Sequence, residues 1–137
     1  ADILINYRDE DFAEVMKNKA DVILDIMGAK YLDKNVHALA MDGHMVIIGM
    51  QGGVKGELNI ARLLTKRGTI SATALRARKL DDKARIVSET VENVWPMLAD
   101  GRITHRIHAT IPLTDAARAH ELLGSGAVTG KVILEVA

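Results

Sequence analysis

The residues of this sequence that are best placed for chemistry lie just after its apolar runs. Met27 and Gly28 follow the largely apolar residues 22–26, and the glycine-rich segment 49–53 follows the apolar residues 45–48. Glycine lets the backbone approach a ligand closely, and loops after parallel strands form ligand crevices in open α/β sheets. These positions therefore favour ligand binding through main-chain groups. The alternative is that they are the turn glycines that any α/β fold needs.

The titratable residues give no comparable signal for catalysis or metal binding. His105 and His108 are three positions apart, which on a strand points their side chains to opposite faces. No third ligand accompanies them, whereas zinc sites use at least three protein ligands. The chain has no cysteine, which excludes disulfides and thiolate metal sites. We predict no metal site, identify no catalytic acid or base, and interpret Asp25 as a turn or cap residue.

The composition limits the classes of partner. The 137 residues carry 18 basic and 18 acidic side chains, so the formal net charge is zero. Nucleic acids and acidic membranes both attract basic surfaces, and no run reaches the ~18 apolar residues of a membrane helix. We therefore predict neither as a partner. Hydrophobic residues make up 48% of the chain and aromatic ones 3%, which predicts a globular domain with an aliphatic core. A cytoplasmic location is the default expectation.

Apolar runs and helical periodicity predict the elements that position the loops. Strand, helix and strand over residues 20–49, with each strand ending on glycine, form a βαβ unit. A dinucleotide site also needs a G-x-G-x-x-G motif, which the sequence lacks. We therefore interpret the chain as the later part of a larger protein. The sequence predicts strands at 2–7, 22–28, 43–49, 69–75 and 130–136, and an extended segment at 103–111. It predicts a first helix that starts near residue 9, and further helices at 30–41, 59–66, 81–98 and 115–124.

Particular residues are expected to begin or end these helices. Gly43 and Gly68 are expected to end the second and third helices, since glycine readily adopts the left-handed cap. Pro96 should kink or end the long fourth helix, and Thr114 is a good N-cap for the fifth. Apolar residues at steps of three and four predict inward faces, which comprise Ala84, Val87, Val91, Val94 and Leu98 in the fourth helix and Ala116, Ala119 and Leu123 in the fifth.

Several stretches along the chain also match a known family in order and spacing. The matching stretches are 5–8 (INYR), 23–28 (ILDIMG), 39–43 (LAMDG), 46–53 (VIIGMQGG), 63–68 (LLTKRG), 116–120 (AARAH) and 130–134 (GKVIL). With these residues the chain resembles the C-terminal part of zeta-crystallin-like quinone oxidoreductases. These enzymes form a zinc-free branch of the medium-chain dehydrogenase/reductase superfamily.

This resemblance implies an α/β fold, namely a partial Rossmann fold with a doubly wound, mainly parallel sheet. The first two strands and the glycine-rich loop would be absent. Residues 1–137 would be the C-terminal portion of an NAD(P)-binding Rossmann domain, with 103–112 and 130–137 packing on a GroES-like catalytic domain. In the 3-2-1-4-5-6 strand order, residues 1–7 would lose their neighbours. We expect that segment to be displaced, paired elsewhere, or paired with another chain.

The resemblance further implies an NADPH-dependent oxidoreductase that transfers hydride to a quinone or a similar electrophilic carbonyl. NADPH is the implied cofactor and a quinone-like small molecule the implied substrate. The isolated chain should be inactive and bind NADPH poorly, because the pyrophosphate cradle is missing. Two alternatives stay open. One is a nonenzymatic α/β interaction module, and the other is a fragment of an enoyl reductase or alcohol dehydrogenase relative.

The family places cofactor contacts at positions found in this chain. Tyr7 would lie near the adenosine 2′-phosphate. Nine further positions would contact the nicotinamide and its ribose, namely Met27, Gly28, Ile48, Gly49, Met50, Gln51, Leu75, Arg76 and Ala77. The family often has an aromatic residue and an asparagine where this chain has Ile48 and Met50, so only main-chain contacts carry over there. A phosphate-binding arginine found in some members near the position of Gly126 does not carry over.

Each of these assignments has a simpler structural alternative. Tyr7 could be a half-buried aromatic residue at a strand end, and Arg76 and Arg78 could form a solvated basic turn. The strand at 69–75 would, in the family, pair with its twin across a dimer axis. An edge strand with few charges favours such pairing, which predicts a homodimer. The alternative is an edge that a loop covers.

Overall fold

The chain is described here by a computed structural model over residues 1–136, which form two compact units. The first unit comprises Ala1–Arg78, and the second begins at Lys79. The first contains strands β1 (Ala20–Asp25), β2 (Leu39–Ile47) and β3 (Thr69–Ala72), and helices α1 (Phe12–Val15), α2 (Leu32–Ala38) and α3 (Ile60–Lys66), with a 3-10 turn (Gly28–Tyr31) before α2.

The three strands of the first unit form one parallel sheet in the order β1-β2-β3. The register pairs Asp25 with Ile47 and Ile47 with Ala72, so all three strands end at the same level. The predicted parallel α/β arrangement of this region is therefore confirmed. The register also places the loops that follow the strands at one edge of the sheet.

The core of the first unit is aliphatic, as the composition predicts. Val36 of α2 and Leu39 and Met45 of β2 are fully buried. Strand β1 is half covered, because the side chains of Val22 and Leu24 remain 72% and 68% exposed. One face of this edge strand is thus apolar and open to solvent.

The second helix is shorter than predicted. It ends at Ala38, and Leu39 already begins β2. The pairing shifts from Ala20–Leu39 to Val22–His44, so β2 makes an irregular excursion between these pairs. Leu39, Ala40 and Met41 are good helix formers, but intrinsic helix propensity is a small term that tertiary packing overrides. Burial of Leu39 against the sheet therefore prevails over continuation of the helix.

Both glycines expected to end helices have a different role. Asp42 and Arg67, not Gly43 and Gly68, adopt the left-handed backbone, with φ of 59° and 52°. A Cβ on Gly43 would lie 2.8 Å from Cγ of Leu39, and one on Gly68 would lie 2.8 Å from Cδ2 of the same side chain. The glycines therefore make room for Leu39.

The predicted strand at 2–7 does not form. Residues 1–6 join no strand ladder, and Tyr7 begins a turn. The side chains of Ile3 and Leu4 are exposed. A strand needs a neighbour to pair with its backbone groups, and the neighbours that the Rossmann order would supply are not in this sequence. Within residues 1–136, pairing of this segment elsewhere in the chain is not observed.

The second unit contains helix α4 (Leu80–Ala99), strand β4 (Ile107–Pro112), helix α5 (Ala116–Gly124) and strand β5 (Lys131–Glu135). Strands β4 and β5 pair in parallel with each other. Helix α4 continues past Pro96 and ends at Ala99, where the N–H of Asp100 donates to the carbonyl of Pro96. No residue of α4 is fully buried. Of its predicted inward face, Ala84, Val87 and Val91 are exposed, whereas Val94 and Leu98 are half-buried.

The fifth helix begins differently from the prediction. Thr114 lies in a 3-10 turn (Leu113–Asp115) and not at the N-cap, which is Asp115 without a side-chain cap bond. Ala119 is buried, as predicted, but Leu123 is exposed and Leu122 is partly covered instead. No helix within residues 1–136 combines the length and apolar content needed to cross a membrane.

Candidate functional site

Three loops meet at the carboxyl edge of the β1-β2-β3 sheet. Loop A (26–29) follows β1, loop B (48–53) follows β2, and loop C (73–78) follows β3. The N–H of Thr73 donates to the carbonyl of Ile47 at 3.1 Å, which continues the ladder into loop C. Such edges bind ligands in open α/β sheets. The structure therefore brings together nine of the ten predicted positions, which are Met27, Gly28, Ile48, Gly49, Met50, Gln51, Leu75, Arg76 and Ala77.

Asp25 shapes the start of loop A. Its carboxylate is buried, with the residue 4% exposed. Oδ1 accepts a hydrogen bond from the N–H of Met27 and Oδ2 accepts one from the N–H of Gly28, each at 2.9 Å. Aspartate side chains commonly stabilise turns in this way. The prediction that Asp25 is a turn or cap residue is confirmed.

Loops A and B are joined by backbone hydrogen bonds. The bonds run from Ile48 N–H to Asp25 O (2.8 Å), Gln51 N–H to Ile26 O (3.2 Å), Gly52 N–H to Met27 O (2.7 Å) and Ala29 N–H to Gly53 O (3.1 Å). Because these bonds involve nearly every residue of loop A, neither loop can move without the other. The two loops therefore act as one structural piece.

The glycines of these loops are required by the closeness of the two backbones. Gly28 has φ of 69°, and a Cβ there would lie 3.0 Å from the carbonyl oxygen of Gly53. Gly49 needs no unusual φ, yet its Cβ would lie 2.7 Å from the carbonyl oxygen of Ile26. The turn-glycine alternative thus has a visible cause at both positions, and it is compatible with ligand binding by the same backbone.

A small apolar cavity lies against the joined loops. Its volume is about 240 Å³, below the roughly 300–1,000 Å³ of ligand pockets. It can hold a ring-sized part of a ligand. The lining residues are Gly28, Ala29, Leu32, Ile47, Gly49, Met50, Gly53, Val54 and Gly56.

Exposed apolar side chains extend this edge of the sheet. Ile48, Met50 and Leu75 are all exposed although they are large and hydrophobic. In loop C, Arg78 donates from Nη2 to Oγ1 of Thr73 at 3.0 Å, which ties it to the strand end. Arg76 lies in the same turn with an exposed side chain. An apolar surface beside arginine side chains can accept an aromatic ring, because the electron-rich face of such a ring attracts a cation.

Tyr7 is the one predicted cofactor-binding position that does not lie in the three loops at this edge of the sheet. Its side chain is 66% exposed in a turn where the carbonyl of Asn6 accepts from the N–H groups of Asp9 and Glu10. The described residues include no hydrogen bond or ring contact that links Tyr7 to the three loops. Its role at a 2′-phosphate stays a prediction.

A polar cleft of about 250 Å³ between α1, α2 and α3 was not predicted from the sequence. Two ion pairs of 2.9 Å line it, Lys34 with Asp11 and Arg62 with Asp33. The hydrogen bond from Lys34 lowers the pKa of the Asp11 carboxyl. These side chains come from elements far apart in sequence, so no local signal could have indicated the cleft. Because the lysine and the arginine each pair with an aspartate of another element, the cleft is a place where ion pairs connect the helices.

The described residues do not offer a metal site. Within residues 1–136, no group of at least three His, Cys, Asp or Glu side chains converges in a way that could hold a metal ion. The ring of His108 instead lies 3.5 Å from the N–H of Thr129 through Nδ1.

Comparison with known proteins gives a consistent picture. Residues 1–134 match the family described as zinc-binding dehydrogenase. Quinone oxidoreductase 1 of Escherichia coli (strain K12) is 28% identical over 138 residues, which cover 96% of this chain and 42% of that protein. The chain therefore spans about two fifths of the length of this relative.

Solved structures share the fold. A protein described as an NAD-dependent alcohol dehydrogenase superposes with a TM-score of 0.78 at 26% identity, covering 100% of this chain and 38% of its own. A mycobacterial protein solved in complex with NADPH gives 0.72 at 24% identity, covering 98% and 42%. The prediction of a partial Rossmann fold is confirmed.

Proposed function

The chain belongs to the zinc-binding dehydrogenase family, a family of oxidoreductases, and on that premise we propose that the protein carrying it transfers hydride from NADPH to a quinone or a similar electrophilic carbonyl. The observation that supports this most is the joined pair of glycine loops beside an apolar cavity, at the carboxyl edge of a parallel sheet. This is the place where Rossmann folds bind their cofactors.

The residues fit a nicotinamide cofactor. Gly28 and Gly49 line the apolar cavity at the sheet edge without a side chain of their own, and a Cβ at either position would collide with the other loop. The nicotinamide, when bound, would supply the hydride. We propose that main-chain groups of loops A and B hold its ring and ribose, with Leu75, Arg76 and Ala77 beside them.

The preference for NADPH over NADH is a separate part of the proposal. The mycobacterial structure contains NADPH, whereas the alcohol dehydrogenase with the similar fold is described as NAD-dependent. Tyr7 is our proposed contact to the adenosine 2′-phosphate, because a phenol can donate a hydrogen bond to a phosphate oxygen. Binding that does not distinguish the two cofactors would contradict this part of the proposal.

The chain's own contribution to catalysis would be positioning and exclusion of water. Ile48, Met50 and Leu75 present apolar side chains at the edge where the nicotinamide ring would lie. A dry, oriented site brings the hydride donor and the acceptor into reacting geometry. We assign no general acid or base to these residues.

A zinc ion, despite the family's description, does not fit the described residues. No three suitable side chains of residues 1–136 converge, and the sequence has no cysteine. We derive no step through a metal in this part of the protein. Our proposal that the whole protein is of the zinc-free kind rests on its resemblance to the zeta-crystallin-like branch and not on the residues described here.

The quinone acceptor and the architecture of the whole protein belong to the same proposal. The relative from E. coli, described as a quinone oxidoreductase, supports the acceptor class. We further propose that 103–112 and 130–137 pack on a GroES-like domain, because Ile107, Ile133 and Val136 of the β4-β5 region are exposed; residue 137 itself lies outside the described residues. We also propose that the protein forms a homodimer through strand 69–75 and that it is located in the cytoplasm.

The decisive experiment is a substrate survey with the natural protein that carries this chain. Oxidation of NADPH would be followed at 340 nm with a benzoquinone or naphthoquinone and with an enoyl thioester. Reduction of NADP⁺ would be followed at the same wavelength with a primary alcohol. We expect turnover with the quinones alone. Turnover with only the thioester or the alcohol would support an enoyl reductase or alcohol dehydrogenase relative.

A binding measurement separates the enzyme from the interaction module. The 137-residue chain should bind NADPH more weakly than about 1 μM, a free energy of about 8 kcal/mol, because it has no pyrophosphate cradle. The natural protein that carries it should bind more tightly. If that protein neither binds nor consumes a nicotinamide cofactor, the open apolar face of β1 makes the interaction module the better explanation.

A further inference from the structure

We infer that Asp25 is a positioning residue for the nicotinamide end of the cofactor, which it influences through the backbone of loops A and B. This inference rests on the proposed function. Asp25 does not line the apolar cavity, whereas Gly28 and Gly49 do. It would therefore act through the loops and not by touching the cofactor.

The first argument is the way the carboxylate is compensated. A buried ionised carboxylate is costly unless hydrogen bonds or a cation offset the lost hydration. Within residues 1–136, none of the ion pairs involves Asp25. Consecutive N–H groups of Met27 and Gly28 compensate it instead, one on each oxygen. Charge-assisted hydrogen bonds of this kind are roughly twice as strong as neutral ones, so they fix the backbone direction at the start of loop A.

The second argument is the coupling of loop A to loop B. Gly28 is left-handed, and a Cβ added to it would lie 3.0 Å from the carbonyl oxygen of Gly53 and 3.1 Å from the Cα of Met50. The carbonyls of Ile26 and Met27 accept hydrogen bonds from Gln51 and Gly52. A change in the peptide planes held by Asp25 must therefore displace loop B, which carries the cavity-lining Gly49 and Met50.

A purely structural cap would give a different result from a positioning residue. A cap stabilises the fold and so affects all binding to the protein equally. A positioning residue affects the part of the ligand that lies at its loops. NADPH and adenosine 2′,5′-bisphosphate separate these cases, because the second molecule lacks the nicotinamide half.

The test uses Asp25→Asn in the natural protein that carries this chain. Asparagine keeps the size but offers one acceptor oxygen, so its NH₂ group would face one of the two backbone N–H donors. We expect the dissociation constant for NADPH to rise about tenfold, with that for adenosine 2′,5′-bisphosphate nearly unchanged. The KM for NADPH should rise with it. Asp25→Glu, which keeps both oxygens at a longer reach, should be intermediate.

The matched control is Asp11→Asn. Asp11 also accepts a backbone N–H bond, from Ala13 at 3.1 Å, but at the start of α1 and in the polar cleft. This variant should leave the affinities for both ligands unchanged. Equal weakening of both ligands by Asp25→Asn, or no weakening of either, would overturn the inference while leaving the proposed function intact. Failure of the unsubstituted protein to bind NADPH would overturn both.

A measurement on the unsubstituted protein covers the case in which Asp25→Asn does not fold. Hydrogen exchange of a peptide spanning 25–29 would be followed by mass spectrometry with each ligand. We expect NADPH to slow exchange in this peptide and adenosine 2′,5′-bisphosphate to have no effect. Equal exchange in the two complexes would count against Asp25 as a positioning residue.

Discussion

Asp42 and Arg67 both have left-handed backbones, and a two-pronged ion pair joins them. Nε of Arg67 lies 2.7 Å from Oδ1 of Asp42, and Nη2 lies 2.6 Å from Oδ2. Asp42 belongs to the irregular part of β2 and Arg67 is the C-cap of α3. The pair therefore connects two places where the backbone is strained, on either side of the buried Leu39.

Two substitutions of Arg67 separate the effect of its left-handed backbone on stability from the effect of its ion pair. Arg67→Ala loses the guanidinium and keeps a side chain that disfavours φ of 52°. Arg67→Gly loses the same guanidinium but adopts the left-handed backbone freely. We expect Arg67→Ala to unfold at lower denaturant concentration than Arg67→Gly, measured by urea titration with circular dichroism. Equal midpoints would mean that the left-handed backbone costs nothing here.

The same pair predicts a pH dependence. The hydrogen bond from Arg67 lowers the pKa of the Asp42 carboxyl in the folded state. A carboxyl with a lowered folded pKa stabilises the fold above its unfolded pKa, near about 4, and this contribution disappears as pH falls through the folded value. The stability difference between the unsubstituted chain and Arg67→Ala should therefore shrink below about pH 4. A difference that stays constant from pH 7 to pH 3 would contradict this assignment.

Gly28→Ala tests the contact between loops A and B. Alanine at φ of 69° costs about 1–2 kcal/mol for the left-handed conformation alone. Its Cβ would also lie 3.0 Å from the carbonyl oxygen of Gly53. Gly126→Ala is the matched control, because Gly126 has φ of 73° and nothing within 4 Å of an added Cβ. We expect a clearly larger loss of unfolding free energy for Gly28→Ala, and equal losses would show that the loops adjust freely.

Lys66 is a buried cation that caps the end of α2. Its Nζ donates to the carbonyls of His37 at 2.7 Å and of Leu39 at 2.5 Å, and burial lowers its pKa. Lys66→Met would leave the Leu39 carbonyl without this donor, which we expect to cost about 1–3 kcal/mol of unfolding free energy. Lys34→Met, at an exposed ion pair, is the control and should cost much less. A more stable Lys66→Met chain would show that desolvation of the charge outweighs its hydrogen bonds.

The proposed dimer interface at strand 69–75 can be tested by removing one backbone hydrogen-bond donor. The N–H of Thr73 points to β2, and alternate residues of a strand face opposite neighbours, so the N–H of Ala72 points outward. Ala72→Pro removes this outward donor without breaking the β2 ladder. In the natural protein we expect at least about tenfold weaker dimerisation, measured by sedimentation equilibrium. Ala72→Ser keeps the N–H and should remain dimeric, and a fully dimeric Ala72→Pro would exclude this edge as the interface.

Much of the secondary structure follows from local patterns. The apolar runs locate β1, β2 and β5, and the alternating, partly β-branched residues 69–75 locate β3. The three-and-four spacing locates α3, α4 and α5, because the periodicity of burial follows from the order of residues. Asn59 at the start of α3 is a cap of the expected type, accepting from the N–H of Arg62. The strand at 2–7 failed because a strand depends on a neighbour, which local sequence cannot supply.

The features of the candidate site likewise divide into those that local sequence predicts and those that only tertiary packing decides. The sequence alone placed Met27–Gly28 and residues 48–53 at strand ends and identified Asp25 as a turn residue, since these are properties of single segments. Only the tertiary structure decided that Gly28 and Gly49 are required by the opposite loop, that Gly43 and Gly68 make room for Leu39, and that Asp42 meets Arg67. Each of these depends on distances between segments far apart in the chain. Such distances are set by packing, which a linear pattern does not contain.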